Sequence, residues 1–431
     1  MFKLKEHKTT ALIEISAGIT TFCAMVYVLA VNPAILSNAG VPKEALFTAT
    51  ALAAIIGTLA MAFIANLPFA VAPGMGINAF FAFVVVLHMG YSWPQAITAV
   101  LLASIIFLLL SLSPLREKVL ADIPVSLQYA VCGGLGIMIA GIGLIQAKVI
   151  DLSTGLPALG DFHQKEVQLV LIGILITAIL LAMRFRYALL AGIICSTLIG
   201  IPLKVTNIDF IYQNQLFSMP PSISSIAFHF DFSLVKSFDF LSVVFVFVFI
   251  ALVDSLAGFL GLFSVMGNDG AKYRPKMGKA FIADSFSAIT SSFLGVSPNT
   301  VYGESGTGVA VGGRTGLTSV VTALCFGLAL FCAPIFLAIP FAAVAPALIV
   351  VGWYMLAPIT KIKFDDPTES FPAIIAIVFI GLTWKISDSL ALAWVVYILM
   401  KIVTLRIKEL NITVCLVGCI FILKLLWSII G

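Results

Sequence analysis

Two acidic residues lie in stretches that are otherwise apolar or rich in glycine, and they could do chemistry there. Glu304 belongs to GVSPNTVYGESGTGVAVGGRTGLT, residues 295–318, and Asp254 follows a long apolar run in FVFIALVDSLAGFLG. A carboxylate deep in an apolar protein is costly, so it marks a site that binds a polar ligand or carries protons. The glycines around Glu304 favour a short, broken helix, a construction typical of transporter substrate sites.

The composition places these carboxylates in a membrane. The chain has 431 residues, of which 61% are hydrophobic and 10% charged. Soluble chains average about 25% charged residues, so the sequence predicts an all-α polytopic membrane protein. Its net charge of +4 gives no indication of nucleic-acid binding. The seven cysteines lie in apolar stretches without metal-ligand spacing, so we expect small core residues and no metal site.

Apolar runs of about 20 residues predict the membrane crossings. The predicted spans are roughly 14–36, 44–66, 76–89, 93–112, 124–147, 166–183, 187–204, 239–262, 277–294, 303–312, 316–338, 341–357, 371–384 and 387–403. A further stretch, 411–430, is interrupted by Lys424 and is either a crossing or an interfacial helix. The positive-inside rule places the N-terminus in the cytoplasm, the loop 268–279 inside and the connector 205–238 outside.

Two short segments, 76–89 and 303–312, come third in each half of this series. Seven crossings per half is an odd number, so the second half must be inverted, and matched short segments in such halves indicate a transporter site. In APGMGIN the backbone breaks at Pro73 and Gly74, and Asn78 offers both a donor and an acceptor. A tight helix crossing that needs glycine is the alternative that this pattern alone leaves open.

Other polar residues have plainer interpretations. Asp284 is expected to brace or cap a neighbouring helix, and GGLGIMIAGIG, residues 133–143, to pack closely through its small residues. The sequence Gly303-Glu304-Ser305-Gly306 fits the pattern of an intramembrane serine protease. Such a nucleophile needs a general base, and no histidine falls in the middle of a predicted span, which disfavours an enzyme.

Several motifs together resemble the AzgA-like branch of the second nucleobase–cation symporter family, the hypoxanthine/guanine/adenine permeases. The stretches that carry the resemblance are AGITTFCAMVYVLAVNPAIL (17–36), FAVAPGMGINAFFAF (69–83), SPNTVYGESGTGVAVGGRTGLT (297–318), APALIVVG (345–352) and KISDSLALAWVVY (385–397). The match runs along nearly the whole chain, and the second and third motifs are specific in combination.

The resemblance implies a seven-plus-seven inverted repeat, with half-helices 3 and 10 meeting at the membrane midplane. The core domain would take residues 1–120 and 239–338, and the gate domain 121–204 and 339–431, joined by the extracellular connector 205–238. It also implies proton symport of a purine nucleobase, with no other cofactor than the coupling ion. The expected substrate-binding residues are Asn78, Phe80, Asp254, Thr300, Glu304 and Ser305, and the expected proton-coupling residues are Asp254 and Glu304.

One departure concerns the eighth helix, where the family usually has D-x-F-D-T-x-G-T. Here Ala251 replaces the first acid and Asp254 keeps the second, which leaves open the preferred purine and the strength of proton coupling. An anion carrier of the same architecture is the alternative function, although two acids in the site would repel an anion. The expected location is the bacterial inner membrane among lipids, with a homodimer as the oligomer considered.

Overall fold

The computed structural model describes residues 2–113, 122–151, 157–185, 187–207, 217–266, 273–411, 413–415, 417–419 and 421–422. Within these residues eight helices are long and apolar enough to cross a membrane, and three shorter apolar helices accompany them. The helices are α1 (Ala11–Met25), α2 (Val28–Leu36), α3 (Lys43–Ala60), α4 (Met75–Ala79), α5 (Trp93–Leu112), α6 (Val125–Gln146), α7 (Lys165–Ala182), α8 (Ala188–Gly200), α9 (Phe238–Val265), α10 (Met277–Phe293), α11 (Ser305–Val311), α12 (Gly316–Ala329), α13 (Ala333–Leu337), α14 (Phe341–Leu356), α15 (Pro367–Thr383) and α16 (Ile386–Val403).

These helices follow the predicted spans closely, and the differences have local causes. The first predicted span contains two helices, α1 and α2, because the helical hydrogen bonding is interrupted at Val26 and Tyr27, although both residues keep right-handed helical dihedrals. The short α4 continues as a wider π-helical turn over Phe80–His88, so the third segment is one interrupted helix. The predicted loop 268–279 and the stretch 411–430 lie partly outside the described residues. Lys424 lies outside them.

Four short strands complete the fold. β1 (Val71–Pro73) pairs antiparallel with β4 (Asn299–Val301), and β2 (Ile150–Asp151) pairs with β3 (Ala158–Leu159) in a small hairpin after α6. The first pair matters for function, because each of its strands leads directly into one of the two half-helices. A strand pair at this depth satisfies the backbone hydrogen-bonding groups that the broken helices leave free.

The helices pack in two groups. One group joins α1, α3, α5, α9, α10, α11 and α12, and the other joins α6, α7, α8, α14 and α15. Within the second group α6 crosses α14 where two glycines meet: a Cβ on Gly136 would stand 2.6 Å from the carbonyl oxygen of Gly352. This is the close packing through small residues predicted for 133–143. The exact division into core and gate domains stays a prediction.

Candidate functional site

A cavity of about 510 Å³ lies where the two groups of helices face each other. Three polar side chains predicted to form the site line it: Asp254 from α9, Thr300 from β4 and Glu304 from the residue preceding α11. Thr300 and Glu304 are close in the sequence, whereas Asp254 comes from an earlier helix, and the fold brings the three residues to one cavity. This volume falls in the range of small-molecule sites, roughly 300–1,000 Å³.

The opposite wall of the cavity comes from the second group of helices. The turn between α7 and α8 contributes Phe185 and Tyr187, and the end of α14 contributes Tyr354 and Met355. Three of these four side chains are aromatic, with large flat apolar faces. A ligand in this cavity would therefore meet carboxylates from the first group of helices and aromatic rings from both groups, since Tyr27 and Tyr302 also line it, an arrangement that suits a flat, polar-edged molecule.

The β1–β4 pair fixes the relative position of the two half-helices. Val71 pairs with Val301 and Pro73 with Asn299, and the ladder continues beyond the strands, where Tyr302 N donates to Ala70 O at 3.0 Å. Because the strands run antiparallel, α4 leaves one end of the pair and α11 leaves the other. Both helix starts consequently point their backbone N–H groups toward the middle of the protein, where the cavity lies.

We call each strand together with the half-helix that follows it an arm, so that β1 and α4 form one arm and β4 and α11 the other. Glycine is required where the two arms cross. A Cβ on Gly74 would stand 2.7 Å from Thr300 Oγ1, closer than real side chains approach. In the other arm, a Cβ on Gly303 would meet nothing within 4 Å. The glycines of these two breaks therefore have different roles, since Gly74 permits close packing and Gly303 borders open space in the cavity.

Tyr27 holds the Glu304 carboxylate. Its hydroxyl donates to Glu304 Oε1 at 2.5 Å, across 277 positions of sequence. Tyr27 lies at the interruption between α1 and α2, shortly before Pro33. A proline in a helix removes an N–H donor and crowds the carbonyl four residues earlier, here that of Leu29, which favours a break in this region.

Three predicted site residues are not among the residues that line the cavity, and their side chains contact other parts of the protein. Asn78 is fully buried on α4, and its Oδ1 accepts a hydrogen bond from the Ser297 hydroxyl. Phe80 packs edge-on against Phe247, with ring centroids 4.9 Å apart. Ser305 is also fully buried, and its Oγ accepts from Ala70 N at 2.9 Å. Direct contact of these three with a ligand stays a prediction.

These contacts form a reciprocal clasp between the two arms. Asn78, on the half-helix that follows β1, binds the segment just before β4, and Ser305, on the half-helix that follows β4, binds the segment just before β1. Each half-helix thus reaches back across the strand pair to the arm that carries the other.

The helix that carries Asp254 is fixed behind the site. The next residue, Ser255, donates a hydrogen bond to the buried Asp284 of α10, so Asp284 braces a neighbouring helix as predicted. On the side of the strands, a Cβ on Gly258 would stand 2.5 Å from Val301 Cγ1, so α9 lies tightly against β4. These contacts set the carboxylate of Asp254 beside the arm that leads to Glu304.

Comparison with known proteins places this arrangement in a family. The profile of the family named Xan_ur_permease, described as a permease family, matches residues 12–392. The chain belongs to this permease family. It is 39% identical over 429 residues to the adenine permease AdeP of Escherichia coli (strain K12), covering 99% of this chain and 95% of that protein. It is 37% identical over 433 residues to the guanine/hypoxanthine permease PbuO of Bacillus subtilis (strain 168), covering 99% of each chain.

The resemblance to the AzgA-like permeases is therefore confirmed, and the permease is an integral membrane transporter, not an enzyme. Among solved structures, its fold is similar to that of the transmembrane domain of a cyanobacterium bicarbonate transporter, BicA. The TM-score is 0.64 with 16% identity, over 88% of this chain and 96% of the other. This likeness shows the fold, which is the predicted seven-plus-seven inverted repeat.

Sequence reasoning missed Tyr27 and the aromatic wall of this permease. Pro33 is the signal that could have indicated a break near Tyr27, because it interrupts the hydrogen bonding of the first span. Phe185, Tyr187 and Tyr354 carry no comparable signal, because aromatic residues are common near the ends of membrane helices. Their place in the cavity depends on how the two groups of helices pack.

Proposed function

We propose that this permease imports purine nucleobases and couples their uptake to protons. The observation that carries the proposal is that Asp254 and Glu304 line one cavity opposite aromatic side chains. Relatives that match nearly the whole chain are named adenine and guanine/hypoxanthine permeases, which supports a purine as the substrate. A purine base is flat and carries N–H donors and ring acceptors on its edge, so it fits the chemistry of both walls.

Glu304, Asp254 and Thr300 are the residues proposed to contact the base. The Tyr27 hydroxyl occupies one lone pair of Glu304, and a carboxylate accepts several hydrogen bonds, so an N–H of the base can bind the same group. Tyr27 would then orient the carboxylate before the substrate arrives. Asn78, Phe80 and Ser305 are proposed to support the site from behind through the contacts described above.

Asp254 and Glu304 are also the proposed proton carriers. Within the described part of the chain, the ion pairs include neither residue. Carboxyl groups in the membrane without a cation beside them are typical of proton relays in transporters. Since the two groups line the same cavity, their protonation would respond to the substrate as a pair. No other cofactor is proposed.

Part of the cavity lining lies close to the loops that the charge distribution assigns to the cytoplasm. Its wall includes Phe185 and Tyr187, which flank the basic turn predicted to lie inside, and Met355, which lies shortly before Lys361. We infer an inward-facing state in a plasma membrane, with the N-terminus in the cytoplasm. A homodimer in the lipid bilayer remains part of this proposal.

Orientation is tested by labelling single cysteines in a background without native cysteines. Ser224 and Lys279 are both exposed and lie on opposite sides of the membrane under this proposal. An impermeant maleimide applied to intact cells should label Ser224→Cys and leave Lys279→Cys unlabelled until the cells are opened. Labelling of Lys279→Cys from outside would refute the orientation.

Competition uptake tests the substrate. Uptake of labelled hypoxanthine is measured in cells that lack their own purine permeases and express this protein. Unlabelled adenine, guanine, uracil, sulfate or bicarbonate is added as a competitor, and uptake of labelled sulfate and bicarbonate is measured in parallel. We expect competition by purines only, because a site built around polar groups discriminates strongly against ligands without matching partners. Uptake of sulfate or bicarbonate without uptake of any purine would refute the proposal in favour of an anion carrier.

A further inference from the structure

Glu14 is a buried carboxylate that the proposed transport mechanism does not use. It lies in the first turn of α1, is fully buried, and faces the chain between α11 and α12. Its Oε1 accepts a hydrogen bond from Arg314 N at 3.0 Å. Its Oε2 accepts from Thr315 N at 3.3 Å, Thr318 N at 3.2 Å and Thr318 Oγ1 at 2.5 Å. One side chain therefore collects four donors from a single turn.

This turn ends the half-helix that begins at Glu304. Gly312 adopts a left-handed conformation at the C-terminus of α11, with φ of 116°, and α12 starts at Gly316 after Thr315 caps it. Glu14 binds the N–H groups at the start of α12, where a negative charge is favoured by the helix dipole. The position at which α11 stops is thereby tied to α1.

The same helix also contacts the middle and the beginning of α11. A Cβ on Gly308 would stand 2.6 Å from Ala17 O, and one on Gly313 would stand 2.9 Å from Ala17 Cβ, so α11 lies directly on α1. Immediately after α1, Tyr27 donates to Glu304 at 2.5 Å. The unit of α1 and its following turn therefore holds the half-helix at its start, along its length and at its end.

We propose that Glu14 is a positioning residue for the substrate site: it fixes the end of α11 against α1, so that Glu304 meets the Tyr27 hydroxyl. This role rests on the proposed function, because Glu304 is taken as the group that binds the base. The half-helix has only seven residues and a glycine-rich sequence, so its own hydrogen bonds define its position poorly. Anchoring both ends to one helix supplies the missing constraint.

The first test compares Glu14→Gln with Glu44→Gln, a control at an exposed acid in the first turn of α3. In Glu14→Gln the new amide keeps the shape of the side chain but replaces one acceptor oxygen by a donor, which faces a backbone N–H. We expect the Kd for adenine, measured on purified protein, to rise about tenfold for Glu14→Gln and to stay unchanged for Glu44→Gln. An unchanged Kd for Glu14→Gln would overturn the proposal.

A double-mutant cycle separates positioning from a general loss of stability. If Glu14 acts through the contact between Tyr27 and Glu304, Tyr27→Phe should add little to the loss already caused by Glu14→Gln. Fully additive losses in adenine affinity would show that Glu14 acts elsewhere and would overturn the proposal.

A gentler pair of variants covers the case in which Glu14→Gln does not fold. Thr318→Val removes the hydroxyl bonded to Glu14 and keeps the backbone contacts, whereas Thr318→Ser keeps the hydroxyl. Thr318→Val should weaken adenine binding in the same direction as Glu14→Gln, and Thr318→Ser should restore it. Equal affinities for the two variants would contradict the proposal.

Hydrogen exchange gives a readout that does not depend on the substrate. In Glu14→Gln, or in Thr318→Val, amide exchange should accelerate across 304–318 and remain unchanged across 75–88, the other half-helix. If adenine turns out not to bind at Glu304, the proposed function fails, but this exchange pattern still tests the anchoring. Exchange at wild-type rates across 304–318 would refute the anchoring itself.

Discussion

The two half-helices share one scaffold and differ in their chemistry. Each follows a three-residue strand, each starts at the strand pair, and each reaches back to the other arm through one polar side chain. At the start of α11 stands Glu304, held by Tyr27, whereas the corresponding cap of α4 is Gly74, which has no side chain. The repeat therefore supplies two equivalent helix starts, and the sequence places a charge at only one of them.

This asymmetry assigns different tasks to the two arms. The uncharged start of α4 lets the backbone approach Thr300 closely, and the Gly74 N–H donates to Pro298 O at 3.1 Å. The second carboxylate of the cavity comes instead from α9, as Asp254. Under the proposed function, both carboxylates that would accept from the base therefore belong to the second half of the repeat.

The largest expected effect is the loss of the charge at α11. Glu304→Gln keeps the shape of the side chain but removes the ionised acceptor, and hydrogen bonds to charged groups contribute about 1.5–3 kcal/mol. We expect the Kd for adenine, measured by calorimetry on purified protein, to rise between about 10- and 100-fold, with no uptake in cells. Glu44→Gln serves as the control. Wild-type affinity in Glu304→Gln would remove the distinction between the two half-helices.

Asp254→Asn should separate binding from coupling. Because Asp254 lies on α9 and not on a half-helix, we expect adenine binding to weaken by less than about tenfold, the value of one ordinary hydrogen bond. Proton-driven accumulation of adenine against its own concentration gradient should be lost. Exchange of labelled for unlabelled adenine in proteoliposomes should continue. Uphill uptake at the wild-type level would show that Asp254 does not carry the coupled proton.

The third prediction concerns the unequal glycines of the two arms. Gly74→Ala forces a Cβ to within 2.7 Å of Thr300 Oγ1, and overpacking of this kind costs about 1–3 kcal/mol. The Tm of purified Gly74→Ala should therefore fall. Gly303→Ala meets no atom within 4 Å, so its Tm should stay near the wild-type value. Equal Tm values for the two variants would contradict the close crossing at Gly74.

The sequence predicted those features that depend on local composition. Glycine and proline around Gly74 and within 303–313 indicated the two breaks, because these residues interrupt helices wherever they occur. Long apolar runs gave most helices within a few residues of their observed bounds. Asp254 and Glu304 were recognisable because a carboxylate in an apolar stretch is rare and costly.

The remaining features depend on contacts between distant parts of the chain. The β1–β4 pair joins Val71 to Val301, and strands of three residues have no periodicity from which pairing could be predicted. The contact of Tyr27 with Glu304 spans 277 positions and needs the turn after α1. The sequence predicts Asn78 as a substrate-binding residue because it follows a break. Whether its side chain faces the cavity depends on Ser297, which lies in the other half of the chain.

A final comparison removes the two halves of the clasp one at a time. Ser305→Ala leaves the buried N–H of Ala70 without its acceptor, and such a loss costs about 1–3 kcal/mol. Asn78→Ala should cost less, because the partner hydroxyl of Ser297 can rotate to another acceptor. The Asn78 Nδ2 atom, moreover, has no partner in the described part of the chain. We therefore expect a larger fall in Tm for Ser305→Ala.

Adenine affinity of the same two variants decides whether Asn78 contacts the substrate. If its role is the clasp alone, the Kd of Asn78→Ala should change by less than about threefold, below the value of an ordinary hydrogen bond. A rise of about tenfold without a fall in Tm would instead mean that the unpartnered Nδ2 donates to the base, as the sequence predicted. In that case α4 would contribute a side-chain donor and α11 the Glu304 acceptor, and the two half-helices would be complementary in their side chains.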